Sequence, residues 1–410
     1  MKKFSLFLIF TVLSCALLWS GEIDDLKRGD QAFLKGRYAE ALIHYQRAEK
    51  ENPQSRTAWF SLGVTCTRLG RYPQAEQAFL RTLSIDPNFA PACNNLGWVY
   101  LVEGKIDLAV QYLSQALTLQ PDYPLASNNL GIAYLKNRNP WLASQVFMSL
   151  QDNDPANPVY LNNLGLSCFM LGDYRSAEGW LTSGIASPAP HAENYLNLAL
   201  LYTRVFKPGE AQKILRLGLQ KFPRDRSLQG FQAQFDYNSG ATSKAYREWA
   251  KILNTDANNP WALSGLAGFY LRKGDCASAL PYLAGLAAVD KNNYRIREVL
   301  GWAYYYTGNK PKAQKQWQMV NRDYPASPLS NYGLGILKLG RGDAKGAFLN
   351  FFQALEVYPS WVDARFQLAR CYAKIGNKTG ARAEWEKIRE INSEYAQELQ
   401  KKPEVKSWFK

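Results

Sequence analysis

The tetrapeptide NNLG occurs three times, at residues 94–97, 128–131 and 162–165, and each copy begins 34 residues after the previous one. Extending this spacing in both directions defines frames that begin at residues 22, 56, 90, 124, 158, 192, 226, 260, 294, 328 and 362. The eleven frames end at residue 395, and none requires an insertion or a deletion. Such a period is typical of an array of small structural repeats.

Three slots of the frame keep their residue type along the whole array. The eighth slot is always glycine or alanine, the twentieth is always alanine, and the twenty-fourth is always large and apolar. In the frame that begins at residue 56, these slots hold Gly63, Ala75 and Phe79. Apolar residues recur at helical spacing on both sides of a turn that contains glycine in nine frames. The pattern predicts two short antiparallel helices per frame, packed closely where small slots meet large ones.

These residues resemble the tetratricopeptide repeat, whose pattern is W-x2-L-G-x2-Y, then A-x3-F, then P. The frame at residue 294 carries the pattern in Leu300, Gly301, Tyr304, Ala313, Trp317 and Pro325. The resemblance covers 374 of 410 residues, from 22 to 395. It implies an all-α fold, a right-handed superhelical solenoid of about eleven antiparallel helix pairs, with a concave groove lined by the first helix of each repeat.

Two parts of the array depart from the pattern. The frame at 226–259 has Gln232 and Asp236 in two core slots, which predicts a weak joint there. Residues 396–410 follow the last frame and are expected to form a capping helix and a basic tail, with Trp408 and Phe409 available to cover the last repeat.

The first 21 residues read as an export segment. Lys2 and Lys3 precede an apolar run over residues 4–19, which is the order of a signal sequence. Residues 12–15 resemble a loose bacterial lipobox in which Cys15 would take a lipid, residues 18–20 offer a site for ordinary signal peptidase, and an uncleaved anchor is a third alternative. The pattern therefore predicts export to a bacterial envelope, with the chain either periplasmic or anchored to the membrane.

The charge of the chain bears on its partners. The net charge is +14, which in an intracellular protein would favour nucleic acid. Because an export segment argues against nucleic acid, we expect none, and the +12 that remains without Lys2 and Lys3 suits an anionic envelope surface or an acidic partner.

The sequence contains few residues that could form a catalytic or metal site. The repeats occupy the chain between the export segment and the tail, and the only histidines are His44 and His191, far apart in the array. Six cysteines, including Cys15, lie at no metal-ligand spacing. We therefore predict a protein without enzymatic activity, cofactor or metal.

The paired asparagines are the first candidate binding site. The fifth and sixth slots hold Asn94 and Asn95, Asn128 and Asn129, and Asn162 and Asn163, and the sixth slot continues with Asn197. In similar tetratricopeptide superhelices, asparagines at this place grip the backbone of a bound peptide, since a carboxamide both donates and accepts. The alternative is that they bond to the neighbouring repeat and hold the stack in register. The pairing argues against this alternative, because adjacent residues are not expected to serve one interface.

A second candidate surface lies at Trp302 and Tyr305, which are expected to point towards the groove beside the core residue Tyr304. Aromatic rings suit peptide side chains or glycans. The alternative is plain core packing, which is open for Trp302.

These features predict a non-enzymatic envelope scaffold that binds an extended peptide segment of a partner in its groove. Two alternatives remain: a peptidoglycan or glycan binder that uses the aromatic surface, and an accessory subunit of a secretion or envelope-assembly machine. The sequence does not name the partner or the oligomeric state.

Overall fold

A computed structural model describes residues 21–291 and 293–409, and every regular element in these residues is a helix. The chain divides into two compact units, the first ending at Pro223 and the second beginning at Arg224. Within each unit, consecutive helices pack in pairs joined by short turns. The all-α class and the repeated helix pairs predicted from the 34-residue period are confirmed.

In the first unit, the described residues form six helix pairs. They are α1 (21–34) with α2 (Tyr38–Glu51), α3 (Arg56–Arg68) with α4 (Tyr72–Ile85), α5 (Ala90–Glu103) with α6 (Ile106–Leu119), α7 (Pro124–Lys136) with α8 (Pro140–Asn153), α9 (Pro158–Leu171) with α10 (Tyr174–Ala186), and α11 (Ala192–Arg204) with α12 (Pro208–Lys221).

The described residues of the second unit, 224–291 and 293–409, form five further pairs and two short terminal helices. They are α13 (Arg226–Asn238) with α14 (Thr242–Thr255), α15 (Pro260–Arg272) with α16 (Cys276–Val289), α17 (Tyr294–Tyr306) with α18 (Lys310–Asp323), α19 (Pro328–Gly340) with α20 (Ala344–Val357), α21 (Val362–Lys374) with α22 (Lys378–Ile391), and then α23 (Ser393–Gln400) and α24 (Pro403–Trp408).

Each pair closes where a small residue of the first helix meets a large residue of the second. A Cβ added at Gly63 would lie 2.6 Å from the ring of Phe79, and one added at Gly131 would lie 2.5 Å from the ring of Phe147. The alanine of the twentieth slot, such as Ala143, has no exposed surface. The small and large slots therefore interlock as the sequence predicts, and neither helix could bury its apolar face alone.

The turn between the two helices of a pair requires a left-handed residue. Nine glycines with positive φ fill this position, for example Gly104 at 77° and Gly172 at 82°. Arg138 and Phe206 occupy the same position in the two remaining pairs, with φ of 56° and 58°. A side chain at such φ is sterically disfavoured, so these two turns carry strain that the others avoid.

Successive repeats of the first unit are linked in two places by a tyrosine, a glutamate and a lysine, a group that we call the polar bracket. The hydroxyl of Tyr100 donates to Glu76 Oε1 at 3.0 Å, and Lys105 Nζ lies 3.0 Å from Glu76 Oε2. The same three residue types recur in Tyr202, Glu178 and Lys207 at 3.0 and 3.4 Å. Each bracket joins the second helix of one repeat to the next repeat.

The departures noted in the sequence have defined surroundings. Gln232 Nε2 donates to Asp236 Oδ1 at 3.1 Å, and Lys244 Nζ lies 2.9 Å from the other oxygen of Asp236, so the polar core slots of frame 226–259 are satisfied. Whether this frame is a weak joint stays a prediction. At the C-terminus, Trp408 packs 6.0 Å from the ring of Phe366, and Phe409 packs on Trp385.

No helix in the described residues combines the length and apolar character needed to cross a bilayer.

Candidate functional site

Asparagine side chains of neighbouring repeats bond to one another along the first helices of the first unit. The three bonds are Asn129 Nδ2 to Asn94 Oδ1 (2.9 Å), Asn163 Nδ2 to Asn128 Oδ1 (3.4 Å) and Asn197 Nδ2 to Asn162 Oδ1 (2.8 Å). In each bond, the sixth slot of one repeat donates to the fifth slot of the repeat before it. We call this series of bonds the asparagine ladder.

The pairing of adjacent asparagines does not argue against the stacking alternative, because the two slots of one helix serve two different interfaces: in α7, Asn129 bonds back to α5 and Asn128 bonds forward to α9. The fifth slot of α5 faces the following helix α7, while the sixth slot of α7 faces back towards α5, so both slots of a pair serve the contacts between repeats. Asn95 is the exception, because α3 has no asparagine at the fifth slot, and its Nδ2 donates to Pro91 O within its own helix at 2.8 Å. The alternative in which asparagines hold the stack therefore has direct geometric support.

The ladder does not use the full bonding capacity of its members. Asn94, Asn129, Asn162 and Asn163 are buried, whereas Asn95, Asn128 and Asn197 are half-exposed. Asn128 accepts through Oδ1, and its Nδ2 makes no hydrogen bond with the residues that the structure describes. Asn197 donates through Nδ2, and its Oδ1 is likewise left over. A carboxamide offers two donor hydrogens and an acceptor oxygen. The amides of Asn128 and Asn197 are therefore held by one ladder bond each and keep further donor or acceptor groups unbonded within the described part of the chain.

An apolar side chain stands one helical turn after each fifth-slot asparagine of the ladder. These neighbours are Trp98 after Asn94, Ile132 after Asn128 and Leu166 after Asn162. Residues four apart share a helix face, so these side chains lie on the face of the fifth-slot asparagines, of which Asn128 is half-exposed and the other two are buried. Trp98 is the most accessible of the three, with 39% of its surface exposed. Trp98 was not predicted as a site residue, although its place four residues after Asn94 is visible in the sequence.

The second unit has no asparagine in the sixth slot at α15 and α19. Gly265 and Gly333 stand there, and a Cβ at these positions would lie 2.2 and 2.7 Å from the indole rings of Trp249 and Trp317. A tryptophan in the preceding twenty-fourth slot thus fills the space that a side chain of the sixth slot would need. This steric exchange explains why the ladder is absent from these repeats.

Trp302 and Tyr305 lie together in an aromatic cluster of the second unit. The Trp302 ring centroid is 5.7 Å from that of Tyr305, 5.9 Å from that of the exposed Tyr306, and 4.8 Å from that of the buried Trp317. Both Trp302 and Tyr305 are half-exposed. Trp302 therefore packs on the core and also contributes to the surface, which leaves both interpretations of this residue open.

A buried carboxyl group at the fifth slot of α17, that of Glu298, was also not predicted from the sequence. Glu298 accepts hydrogen bonds from the hydroxyls of Ser327 and Ser330, which lie at the start of α19. Burial raises the pKa of this carboxyl above its usual range, and the two hydroxyl contacts oppose the rise. The available signal was a charged residue in a slot that is uncharged in every other frame.

Other predicted features have a plain structural setting or lie outside the structure. His44 Nδ1 is 2.7 Å from Asp25 Oδ1 in the first repeat, and the backbone N–H of His191 donates to Asn194 Oδ1. In residues 21–291 and 293–409, no three His, Cys, Asp or Glu side chains gather as a metal site would require. The absence of an enzymatic activity, cofactor or metal stays a prediction. Cys15 lies outside the described residues, so its lipidation stays a prediction as well.

Family models of the tetratricopeptide repeat match four segments of the chain, residues 26–88, 90–123, 269–328 and 363–393. A curated relative, "Protein CTR9 homolog" from Arabidopsis thaliana, is 23% identical over 189 residues, which cover 35% of this chain and 17% of that protein. The chain thus matches less than a fifth of the length of this relative.

Two solved structures are also similar. PilF from Pseudomonas aeruginosa is 19% identical and aligns over 53% of this chain and 99% of its own, with a TM-score of 0.44. PilW, described as a widely conserved type IV pilus biogenesis factor, is 20% identical and aligns over 51% of this chain and 96% of its own, with a TM-score of 0.46.

Proposed function

Because this chain belongs to the tetratricopeptide-repeat family, we propose that it is a non-enzymatic scaffold that binds an extended segment of a protein partner. The family is generally non-catalytic, and its fold is typical of protein–protein interaction scaffolds. The binding surface is the face of the first helices that carries the asparagine ladder and its apolar neighbours.

The observation that carries the proposal is the unused bonding capacity of the half-exposed amides. Asn128 retains donor hydrogens and Asn197 retains an acceptor oxygen, while the ladder bonds hold both side chains in one orientation. An extended peptide presents donors and acceptors of the matching kinds along its backbone. Because the amides are already ordered, little side-chain entropy is lost when a peptide binds.

The apolar neighbours of the ladder add a contact for partner side chains. Trp98, Ile132 and Leu166 lie beside the asparagines on successive repeats. A backbone held by amides would place its alternate side chains against this row, as in other modes of extended-peptide recognition. The row favours a partner segment that carries apolar residues.

We place this scaffold in a bacterial cell envelope, either periplasmic or membrane-anchored. The support is the order of Lys2, Lys3 and the apolar run over residues 4–19, together with the basic net charge of +14. If Cys15 is the mature N-terminus, palmitate labelling disappears in a Cys15→Ala variant. An unmodified chain that begins near Gly21 in intact-mass analysis would rule out the lipoprotein form.

A matched pair of cross-linking variants tests the binding surface. Trp98 on the first helix α5 and Leu80 on the second helix α4 are both 39% exposed. A photo-reactive phenylalanine at each position, in the producing cell, is expected to give a discrete adduct from Trp98 and none from Leu80. Discrete adducts at both positions, or at neither, would contradict the assignment of this face.

The aromatic cluster supports a second candidate function, glycan or peptidoglycan binding. Tyr306 is largely exposed and lies near Trp302 with the two rings inclined at 33°. A sugar ring stacks on an exposed aromatic face. Retention of the chain on cell-wall sacculi, lost in Tyr306→Ala, would favour this candidate, and no retention would remove it. A role as an accessory subunit of a secretion or assembly machine is compatible with the first candidate.

A further inference from the structure

The turns within the six helix pairs of the first unit lie at one edge of that unit. Because the two helices of each pair run antiparallel, every turn from first to second helix falls at the same end. The residues of these turns are 34–38, 68–72, 102–106, 136–140, 170–174 and 204–208. We call them the turn edge. The segments that join one repeat to the next, residues 51–55, 85–89, 119–123, 153–157 and 187–191, form the opposite edge.

The two edges carry opposite charge. The turn edge holds nine Lys and Arg residues against two carboxylates, Glu103 and Asp173. Glu103 is paired with Lys105 at 2.8 Å, and Asp173 accepts from Ser176 N at the start of α10. The opposite edge holds four carboxylates and no Lys or Arg. The cations of the first unit are therefore concentrated where its turns protrude.

Large apolar side chains are exposed at the same edge. Phe206 is 90% exposed and Leu34 is 85% exposed, which makes them the two most exposed large apolar residues of the described chain. Met170 and Leu171 are exposed in the turn 170–174, and Trp141 is exposed directly after the turn 136–140. None of the five segments of the opposite edge exposes a large apolar side chain. Exposed apolar side chains and cations thus occur together at the turn edge, whereas Leu125, exposed just beyond the segment 119–123 of the opposite edge, has no Lys or Arg in that segment.

Two of these side chains stand where the backbone disfavours them. Arg138 and Phe206 occupy the left-handed position that glycine fills in the nine other pairs. Glycine would remove the strain at both positions, and at residue 206 it would also remove an apolar side chain from water. One departure supplies a cation and the other an apolar ring. Neither side chain is required by the turn, since glycine fills the same position in the nine other pairs.

The turn backbones have little left to offer a peptide strand. Phe206 N donates to Thr203 O and Lys207 N donates to Tyr202 O, and Arg138 N and Asn139 N are bonded in the same way to α7. A peptide added as a strand would need unpaired backbone groups, and an acidic peptide held by the cations alone would leave the exposed apolar side chains unused, whereas a lipid surface uses both the apolar side chains and the cations. The composition of this edge therefore fits a bilayer better than an acidic peptide.

We propose that the turn edge of the first unit docks on an anionic membrane surface, with Phe206 and its apolar neighbours in the interface and the flanking cations against the lipid headgroups. The exposed ring of Phe206 would leave water for the boundary of the acyl chains. Unpaired basic residues such as Arg68, Arg138 and Arg204 would gain from the negative surface potential. This site is separate from the asparagine ladder, so it goes beyond the proposed scaffold function and stands or fails independently of it.

Vesicle co-sedimentation of the full chain tests the proposal. The probes are vesicles of phosphatidylglycerol with phosphatidylcholine, and vesicles of phosphatidylcholine alone, at low and high salt. Wild type is expected to bind the anionic vesicles more tightly, with a loss at high salt. Phe206→Gly is expected to weaken this binding about tenfold, as for one apolar side chain that is no longer buried. Arg138→Gly is expected to weaken it about fivefold, as for one cation lost near the surface.

The two glycine variants keep the test independent of folding. Both remove backbone strain, so both are expected to raise the melting temperature while they weaken binding. Leu125→Ser, at the exposed start of α7 beside the opposite edge, is the matched control and should bind as wild type. Residues 1–20 are common to all variants, so the differences between variants report the turn edge.

Several results would overturn the proposal. Equal binding to neutral and anionic vesicles would remove the role of the cations. Phe206→Gly binding as tightly as wild type would remove the role of the apolar ring. Soluble polyglutamate that binds as tightly as the vesicles, with no effect of Phe206→Gly, would reassign the edge to an acidic polypeptide.

Discussion

Asn94 and Asn129 offer the clearest test of the ladder as a structural device. Their side chains are 2% and 5% exposed, and Asn129 Nδ2 donates to Asn94 Oδ1 at 2.9 Å between α7 and α5. Asn129→Ala leaves the carbonyl oxygen of Asn94 buried without this donor. Asn94→Ala leaves the amide of Asn129 without its acceptor. The double variant removes both groups, so the pair forms a double-mutant cycle.

The expected magnitudes follow from burial. Leaving one buried polar group unsatisfied costs about 1–3 kcal/mol, while replacing asparagine by alanine returns up to about 0.7 kcal/mol of helix propensity. Each single variant should therefore lose roughly 0.5–2.5 kcal/mol of unfolding free energy. The double variant should lose less than the sum of the two, with a coupling of about 1 kcal/mol. Asn95→Ala is the matched control, because Asn95 bonds only within its own helix.

Urea unfolding followed by circular dichroism measures these losses. Because a chain of two units need not unfold in one step, hydrogen exchange in α5 and α7 supplies the local readout. A coupling near zero would refute the reasoning. So would an Asn95→Ala variant as destabilised as Asn129→Ala, since the effect would then not arise from contacts between repeats.

Three further predictions concern the packing and the titrating groups. Ala143→Leu should overpack α7 against α8 and cost roughly 1–3 kcal/mol of unfolding free energy in urea, and a neutral result would contradict the close approach at that slot. Glu298 has a raised pKa in the folded state, so its favourable contribution is present at low pH and lost as the pH rises through that pKa. Glu298→Gln should accordingly melt higher than wild type at pH 8, with the gain shrinking in acid, and an equal gain at all pH values would exclude this cause. Of the five cysteines that the structure describes, the half-exposed Cys276 should react first with Ellman's reagent at pH 8. The other four should react only on unfolding, because burial covers them and raises the pKa of their thiols. Simultaneous reaction of all five thiols would contradict this prediction and show that the cores open.

The fold could be predicted from the sequence because one period fixes the same contact many times. The contact of Gly63 with Phe79 recurs as that of Gly131 with Phe147. Agreement among many frames therefore excludes a chance match in any single frame. Small-to-large spacing within a frame determines which faces meet, and the turn glycine determines where the first helix ends. These are local constraints, which a single sequence carries in full.

The candidate site could be located but not interpreted. Sequence spacing placed the asparagines at one azimuth, but which amide faces which depends on the rotation between successive repeats. That rotation is set by the packing of successive repeats. It brings the side chain of Asn129 into hydrogen-bonding contact with Asn94 of the preceding repeat. The same applies to Trp302, whose contact with Trp317 within its own repeat is local, whereas its exposure depends on neighbours in other repeats.

The strained turns illustrate a different limit. The absence of glycine at residues 138 and 206 is visible in the sequence, but a turn could have relaxed into another backbone conformation there. The structure keeps φ at 56° and 58°. Only the geometry shows that the strain is retained instead of avoided.

Asn128→Asp tests most directly whether the spare capacity of the ladder binds a partner. The substitution keeps the Oδ1 acceptor that serves Asn163 and replaces the spare donor group by an oxygen, so the ladder bond remains while a peptide carbonyl loses its donor. With the photo-reactive residue at position 98, we predict that the yield of cross-linked adduct falls by about tenfold while the melting temperature stays within a few degrees of wild type. The peptide carbonyl loses a neutral hydrogen-bond donor and faces a carboxylate instead, which together cost roughly 1.4 kcal/mol of binding free energy. An adduct of undiminished yield from a stably folded Asn128→Asp chain would contradict the claim that these amides hold the partner.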